Sequence, residues 1–135
     1  MEVWEDIENM KNCPIEVSLK YLGKKWTLQI IRDIFKGKKR FSEFLKANPL
    51  ISTKMLSVRL KELVDLGIIR KEVFSTIPVK VEYSLTTKGK ALNKVLFELA
   101  EFSIQNYPNE VYHNKPNSIK SDLMNLKDFF NANQY

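Results

Sequence analysis

The 135-residue sequence contains one cysteine, Cys13, and one histidine, His113. One thiol cannot build an intrachain disulfide framework, and with a single imidazole it leaves too few soft ligands for a structural zinc site. No apolar run approaches the roughly 18–20 residues that a bilayer span requires, so no membrane partner is expected. The acidic start MEVWEDIE lacks the basic region of a secretory signal, which makes the cytoplasm the expected compartment. The sequence offers no nucleophile-base-orienter set, no phosphate-cradling glycine loop and no paired carboxylates on one face. Neither an enzyme nor a cofactor is expected.

Acidic residues are scarce where basic ones are dense. Residues 1–10 carry four acidic and no basic side chains, residues 11–90 carry 18 basic against seven acidic, and residues 91–135 carry four against five. The three blocks have net charges of −4, +11 and −1. A domain-sized block at +11 between acidic and neutral ends points to a polyanionic partner for the middle and a different task for the ends. With 44% hydrophobic and 11% aromatic residues the chain can bury a real core, and its length predicts one domain.

Helical patterning dominates the first half. CPIEVSLKYLG reads as a short helix with Cys13 as N-cap, Pro14 at the first position, Gly23 as the left-handed terminator, and Ile15, Leu19 and Leu22 as its apolar members. KWTLQIIRDIFKG follows, with Trp26, Ile30, Ile31, Ile34 and Phe35 on a buried stripe and Gly37 as the stop. FSEFLKAN, with Phe41, Phe44 and Leu45, is a third helix ended by Pro49. In ISTKMLSVRLKEL, Ser52 is placed as an N-cap with Ile51 stapled against Leu56, and Leu56, Leu60, Leu63 and Val64 form the core stripe. Residues 41–66 therefore have the spacing of a helix-turn-helix. The opposite arc of the last helix carries Lys54, Met55, Val58, Arg59 and Lys61, a mixture of long cations and apolar groups that suits a DNA major groove.

Beyond Gly67 the pattern changes to β-branched and aromatic residues. VKVEYSLT alternates, with Val79, Val81, Tyr83 and Leu85 on one face and Lys80, Glu82, Ser84 and Thr86 on the other, and STIP before it supplies a turn at Pro78. The two strands make a hairpin placed as a wing beside the helix-turn-helix. From Thr87 a helix of about five turns is expected, with Leu92, Val95, Leu96, Leu99 and Phe102 on its stripe, and SIKSDLMNLKDFF repeats the theme with Ile119, Leu123, Leu126 and Phe130. These surplus apolar faces, with Val3, Trp4, Ile7 and Met10, predict a homodimer interface. The expected fold class is mainly α with a small antiparallel β-hairpin, a winged helix-turn-helix with extra N- and C-terminal dimerisation helices. Residues 1–135 make a single domain, with a DNA-binding core at 13–90 and dimerisation extensions at 1–12 and 91–135.

The ordered pieces CPIE, LGKKW, RFSEF, ISTKMLSVRLKEL, LGII, PVKVEYSLT and TKGK resemble the HxlR-type winged helix-turn-helix transcriptional regulators over roughly Cys13 to Phe102. Gly23, Lys24, Lys25 and Trp26 depart from the Gly-Gly-Lys-Trp common in that family, and Leu50 stands where a glycine is common. The resemblance implies a dimeric bacterial regulator of double-stranded DNA, with the helix from Ser52 in the major groove and the hairpin around Pro78 to Lys80 forming the wing, whose tip can lie along the DNA backbone or enter the minor groove. Ser52, Thr53 and Lys54 are then expected to donate to phosphates or base edges, Met55 and Val58 to pack on thymine methyls, and Arg59 to reach a phosphate or guanine. Lys38, Lys39, Arg40 and Lys80 are expected phosphate contacts. Trp26 is read as core and His113 as surface. A winged helix that binds protein instead of DNA is the alternative.

Cys13 is a candidate redox sensor. An N-cap sulfur lies near free backbone N–H groups and the positive end of the helix dipole, which favours the reactive thiolate. The resemblance adds that several HxlR-type regulators sense oxidants, quinones or aldehydes through a cysteine at this position, so a small electrophile or oxidant is an expected partner. A half-buried, inert cap is the competing reading.

Overall fold

The computed structural model describes residues 9–132, and the expected interface roles of Val3, Trp4 and Ile7 lie outside them. Eight helices and one hairpin follow in order among these residues. They are α1 (Pro14–Leu22), α2 (Thr27–Phe35), α3 (Phe41–Ala47), α4 (Thr53–Asp65), β1 (Ile69–Phe74), β2 (Lys80–Leu85), α5 (Thr87–Lys90), α6 (Asn93–Asn106), α7 (Pro108–Val111) and α8 (Ile119–Ala132). The mainly helical fold with a small antiparallel hairpin is the one that the patterning predicts.

Two helices stop where glycine permits a left-handed turn. Gly37 has φ 94°, and the N–H groups of Gly37 and Lys38 donate to the carbonyls of Ile34 and Asp33 at 3.0 and 2.9 Å. Gly67, with φ 72°, ends α4 in the same way: Gly67 N–H reaches the Val64 carbonyl at 2.9 Å and Ile68 N–H reaches Leu63 at 3.0 Å. A Cβ at either position would cost about 1 kcal/mol of backbone strain. Gly23 behaves differently from expectation. It sits at φ −82° in the right-handed region, and Trp26 takes the left-handed conformation of that turn, with φ 78°. Trp26 therefore precedes α2 instead of lying within it, although its ring still packs partly buried against the core.

The central core is Ile30, Ile31 and Phe35 of α2, Phe44 of α3, and Leu56, Leu60 and Leu63 of α4, each at most 3% exposed. At the junction of α2 and α3 lies a buried polar network. Asp33, 2% exposed, accepts from Arg32 Nη2 at 2.8 Å and from Asn48 Nδ2 at 2.7 Å, and Asn48 Nδ2 also reaches the Phe44 carbonyl at 2.9 Å. Arg32 Nη2 closes the triangle on Asn48 Oδ1 at 3.1 Å. A buried carboxylate survives folding only when its oxygens are satisfied in this way.

β1 pairs antiparallel with β2, with Ile69 opposite Leu85 and Phe74 opposite Lys80. Tyr83 is buried from β2 and meets the Phe44 ring edge-on at 6.2 Å, while its N–H donates to the Lys39 carbonyl at 2.8 Å. Val79, expected on the same face, lies ahead of the strand and is 65% exposed in the wing turn.

The five-turn helix expected from Thr87 is two helices. Thr86 caps α5 by accepting from Gly89 N–H at 3.1 Å, and its hydroxyl is shared between the Gly67 and Ile68 carbonyls that follow α4. Gly89 packs so closely on the Ile68 carbonyl that a Cβ there would overlap it, and the chain bends before α6 begins. The predicted stripe is then divided. Leu96 points inward with Phe97 and Ile104, whereas Val95, Leu99 and Phe102 are exposed. Leu96, Phe97 and Phe130 join the same core as α2, and Phe130 meets Phe35 edge-on at 5.5 Å. The first helix fully buries no side chain: Leu22 packs partly buried against the core, while Ile15 and Leu19 are 61% and 59% exposed.

Replacing Asp33 by alanine removes the charged acceptor from the buried Asn48 amide and from half-exposed Arg32, leaving only the Phe44 carbonyl and Asn48 Oδ1 to them, so the fold should lose about 2 kcal/mol. Urea unfolding checks this, and a change of less than 0.5 kcal/mol, about the scatter of surface substitutions, would show that the network does not hold the helices.

Candidate nucleic-acid interface

Helix α4 has three sides. Leu56, Leu60 and Leu63 face the core, and Ser52 caps the start by accepting from Met55 N–H at 3.0 Å. Ser52, Thr53, Lys54, Ser57, Val58 and Lys61 are exposed, Val58 at 39%. They make one surface that begins at the helix N-terminus and runs along it at helical spacing. Ser57 belongs to this surface and was not singled out from the sequence, because a serine between two apolar positions carries no distinctive signal.

The third side is a flank formed by Met55, Arg59 and Glu62. The expectation that Met55 and Arg59 face outward needs correction. Met55 is partly buried against the core. The Arg59 side chain is only 13% exposed: its Nε donates to the Lys25 carbonyl at 2.8 Å and its Nη1 pairs with Glu62 at 3.2 Å. Lys24 Nζ reaches the same Glu62 carboxylate at 3.4 Å. Arg59 thus ties α4 to the turn between α1 and α2. A helical wheel places residues 55, 59 and 62 next to the outward face, but only the position of the neighbouring turn decides that this flank is covered.

The other predicted cations divide into two sets. Lys39, Arg40 and Lys80 converge on Glu82: the Lys80 Nζ, Lys39 Nζ and Arg40 Nε atoms lie 3.5, 3.7 and 3.9 Å from Glu82 Oε2. Lys80 also stands 4.7 Å from the centroid of the Phe74 ring. Lys38 lines a recess of about 410 Å³ at the base of the wing, with Lys39, Arg70 and Lys90 and with no acidic side chain in its wall. Arg70 and Lys90 escape sequence reasoning because nothing in their local pattern distinguishes them from solvated cations. Pro78 follows a cis peptide bond in the exposed wing turn, where Thr76 Oγ1 donates to its carbonyl at 2.8 Å.

Backbone amides support this surface from below. Glu43 Oε1 accepts from the N–H groups of Arg40 and Lys39 at 3.1 and 3.3 Å, which fixes the turn that presents both side chains. Cys13 is exposed at the start of α1 and its sulfur makes no capping hydrogen bond, so neither the half-buried cap nor a thiolate-favouring hydrogen bond from the helix N–H groups to the sulfur is formed. His113 is exposed. Among the described residues no cluster of histidine, cysteine and carboxylates has metal-binding geometry, and no helix is long and apolar enough to cross a membrane.

The sequence profile of the HxlR-like helix-turn-helix family matches residues 21–111. The chain is 39% identical over 95 residues to the uncharacterised HTH-type transcriptional regulator YdeP of Bacillus subtilis, covering 70% of this chain and 74% of that protein. To YodB, an HTH-type transcriptional regulator of the same organism, it is 44% identical over 94 residues, covering 69% of this chain and 84% of YodB. The solved structure of reduced YodB superposes with a TM-score of 0.63 at 42% identity, covering 71% of this chain and 95% of that one. The redox regulator HypR in its oxidised form superposes with a TM-score of 0.66 at 39% identity, covering 70% and 97% respectively.

The division of α4 into faces predicts different outcomes for two cations on one helix. Arg59→Ala should lower the unfolding free energy by about 1–2 kcal/mol, because it leaves the Lys25 carbonyl and Glu62 without their shared donor. Lys54→Ala should stay within about 0.5 kcal/mol of the wild type. Equal urea midpoints for the two variants would contradict the assignment of Arg59 to a structural flank.

Proposed function

This chain belongs to the HxlR-like helix-turn-helix family, and on that footing we propose that it regulates transcription as a cytoplasmic homodimer bound to an inverted-repeat operator in double-stranded DNA. The observation that carries this reading is the exposed surface of α4, from the Ser52 cap through Lys54, Ser57 and Val58 to Lys61, standing beside a wing whose root gathers Lys39, Arg40 and Lys80. Free N–H groups and cations at a helix N-terminus meet phosphate, and the apolar Val58 meets thymine methyls. Two copies are needed because one winged unit contacts too little DNA for a specific site. The exposed Val95, Leu99 and Phe102 of α6, with Ile15 and Leu19 of α1, supply apolar area for that pairing. The role is recognition and not catalysis.

Operator fragments selected from genomic DNA provide the decisive test, through affinity against salt for the operator and for a scrambled duplex. Binding of the operator should exceed that of the scrambled duplex by at least about 1000-fold and weaken steeply with salt. Lys39→Ala and Lys80→Ala should each weaken binding of both duplexes and flatten the salt slope by about one unit. Lys54→Ala should instead reduce discrimination at one base pair. Equal affinity for both duplexes at every salt concentration contradicts specific regulation and favours a protein-binding winged helix.

Cys13 is the proposed signal input. Its thiol is exposed on a helix that fully buries no side chain, and two relatives, YodB and HypR, were solved in reduced or diamide-treated and in oxidised or reduced forms respectively. With one cysteine per chain the products are an adduct, a mixed disulfide with a small thiol, or a bridge between the two Cys13 residues of a dimer. Bridging removes two protons and two electrons from the thiols, which diamide accepts as it becomes the hydrazine. Treatment with diamide, a quinone or an aldehyde should release the operator from the wild type and leave Cys13→Ser bound. Unchanged binding of the wild type under all three reagents rules out the sensor role.

A further inference from the structure

Glu82 stands in the middle of the proposed phosphate-contacting cations, where an acid works against binding. It lies on β2 facing away from the buried Tyr83, with its side chain 17% exposed. One of its oxygens holds Lys39 and Arg40 from the α2–α3 turn and Lys80 from the wing, all within 4 Å. Glu43, the other acid at this turn, has an oxygen engaged by the backbone N–H groups of Lys39 and Arg40. The three cationic side chains are 57%, 49% and 37% exposed, so apart from the Phe74 ring under Lys80 the carboxylate is what fixes their positions. Without it, three like charges at one spot would repel each other and spread into solvent.

The carboxylate has two opposing effects on DNA. It holds the cations together in advance, which removes the ordering cost from the binding step. It also repels every phosphate that approaches. The repulsion is the same for all duplexes, whereas the ordering helps only a duplex that brings a phosphate to the exposed side of the gathered cations. Resting on the DNA-binding reading above, we propose that Glu82 is a positioning residue for specificity: an internal stand-in for a DNA phosphate that keeps Lys39, Arg40 and Lys80 as one clamp and suppresses attachment to duplexes that do not fit.

The experiment compares full-length wild type, Glu82→Gln and Glu82→Asp on the selected operator and on a scrambled duplex across a salt series, with urea unfolding of each variant. Glutamine keeps the shape and removes the charge. Affinity of Glu82→Gln for the scrambled duplex should rise about tenfold at low salt, with a salt slope steeper by up to about one unit. Operator affinity should change by less than about threefold, so that the specificity ratio falls. Aspartate keeps the charge and should restore most of that ratio. Glu82→Thr, neutral and favoured in strands, gives the same reading if the glutamine variant does not fold. An unchanged ratio in the neutral variant, with or without a loss of stability, overturns the proposal while the wild type still discriminates. A wild type that prefers no duplex overturns both this inference and the regulator itself.

Discussion

The buried carboxylate of Asp33 sets the geometry from which the proposed DNA-facing surface follows. It lies at the end of α2, where Arg32 of the same helix pairs with one oxygen and Asn48, the residue after α3, donates to the other, so that the two helices cannot change their mutual angle without leaving that buried oxygen without its donor. Asn48 then passes the constraint on, because its carbonyl accepts from Ile51 N–H at 3.1 Å and Ile51 is buried one residue before the Ser52 cap. The direction of α4 is thereby fixed from its first turn. An apolar junction of equal size would fill the same space, but it would not specify which way the chain leaves α3.

Three further links hold α4 and the wing to this frame, each from a different side. Arg59 and Glu62 bind the α1–α2 turn on one flank, the Gly67 turn and Thr86 fasten the end of α4 to the start of α5, and Tyr83 couples β2 both to Phe44 and to the Lys39 carbonyl. The first of these has a functional consequence. α1, with Cys13 at its N-cap, leads directly into the turn that Arg59 holds, and one hydrogen bond and one ion-pair group connect that turn to α4. The proposed sensor and the proposed reading surface are joined by contiguous contacts.

The C-terminal helices serve two purposes at once. α6 and α8 insert Leu96, Phe97 and Phe130 into the core around α2, which makes them part of the folded unit and not an appendage. Their other faces keep Val95, Leu99, Phe102 and Met124 exposed, more apolar surface than a helix facing only water retains. The same helices that complete the core thus carry the surface assigned to the proposed second copy. Orientation of the proposed dimer is tied to the orientation of α2 and, through Asp33, to that of α4.

Periodicity located α1 to α4, the hairpin, α6 and α8, since 3.6-residue and two-residue repeats are local properties, but it missed the break between α5 and α6 and the short α7; the Ser52 cap and the stops at Gly37 and Gly67 were legible because backbone conformation selects the residue type there. The charge of the middle block and the order of motifs also carried the functional class. Only the tertiary structure decided which cations are free. Arg59 and Lys54 look alike on a helical wheel, yet one meets the Lys25 carbonyl and the other meets solvent, because a turn 34 residues away in the chain covers one flank and not the other. The division of the α6 stripe, the inward role of Asp33 and the gathering of three cations on Glu82 have the same cause. Each depends on groups brought together across long stretches of chain, and no local repeat encodes which groups those are.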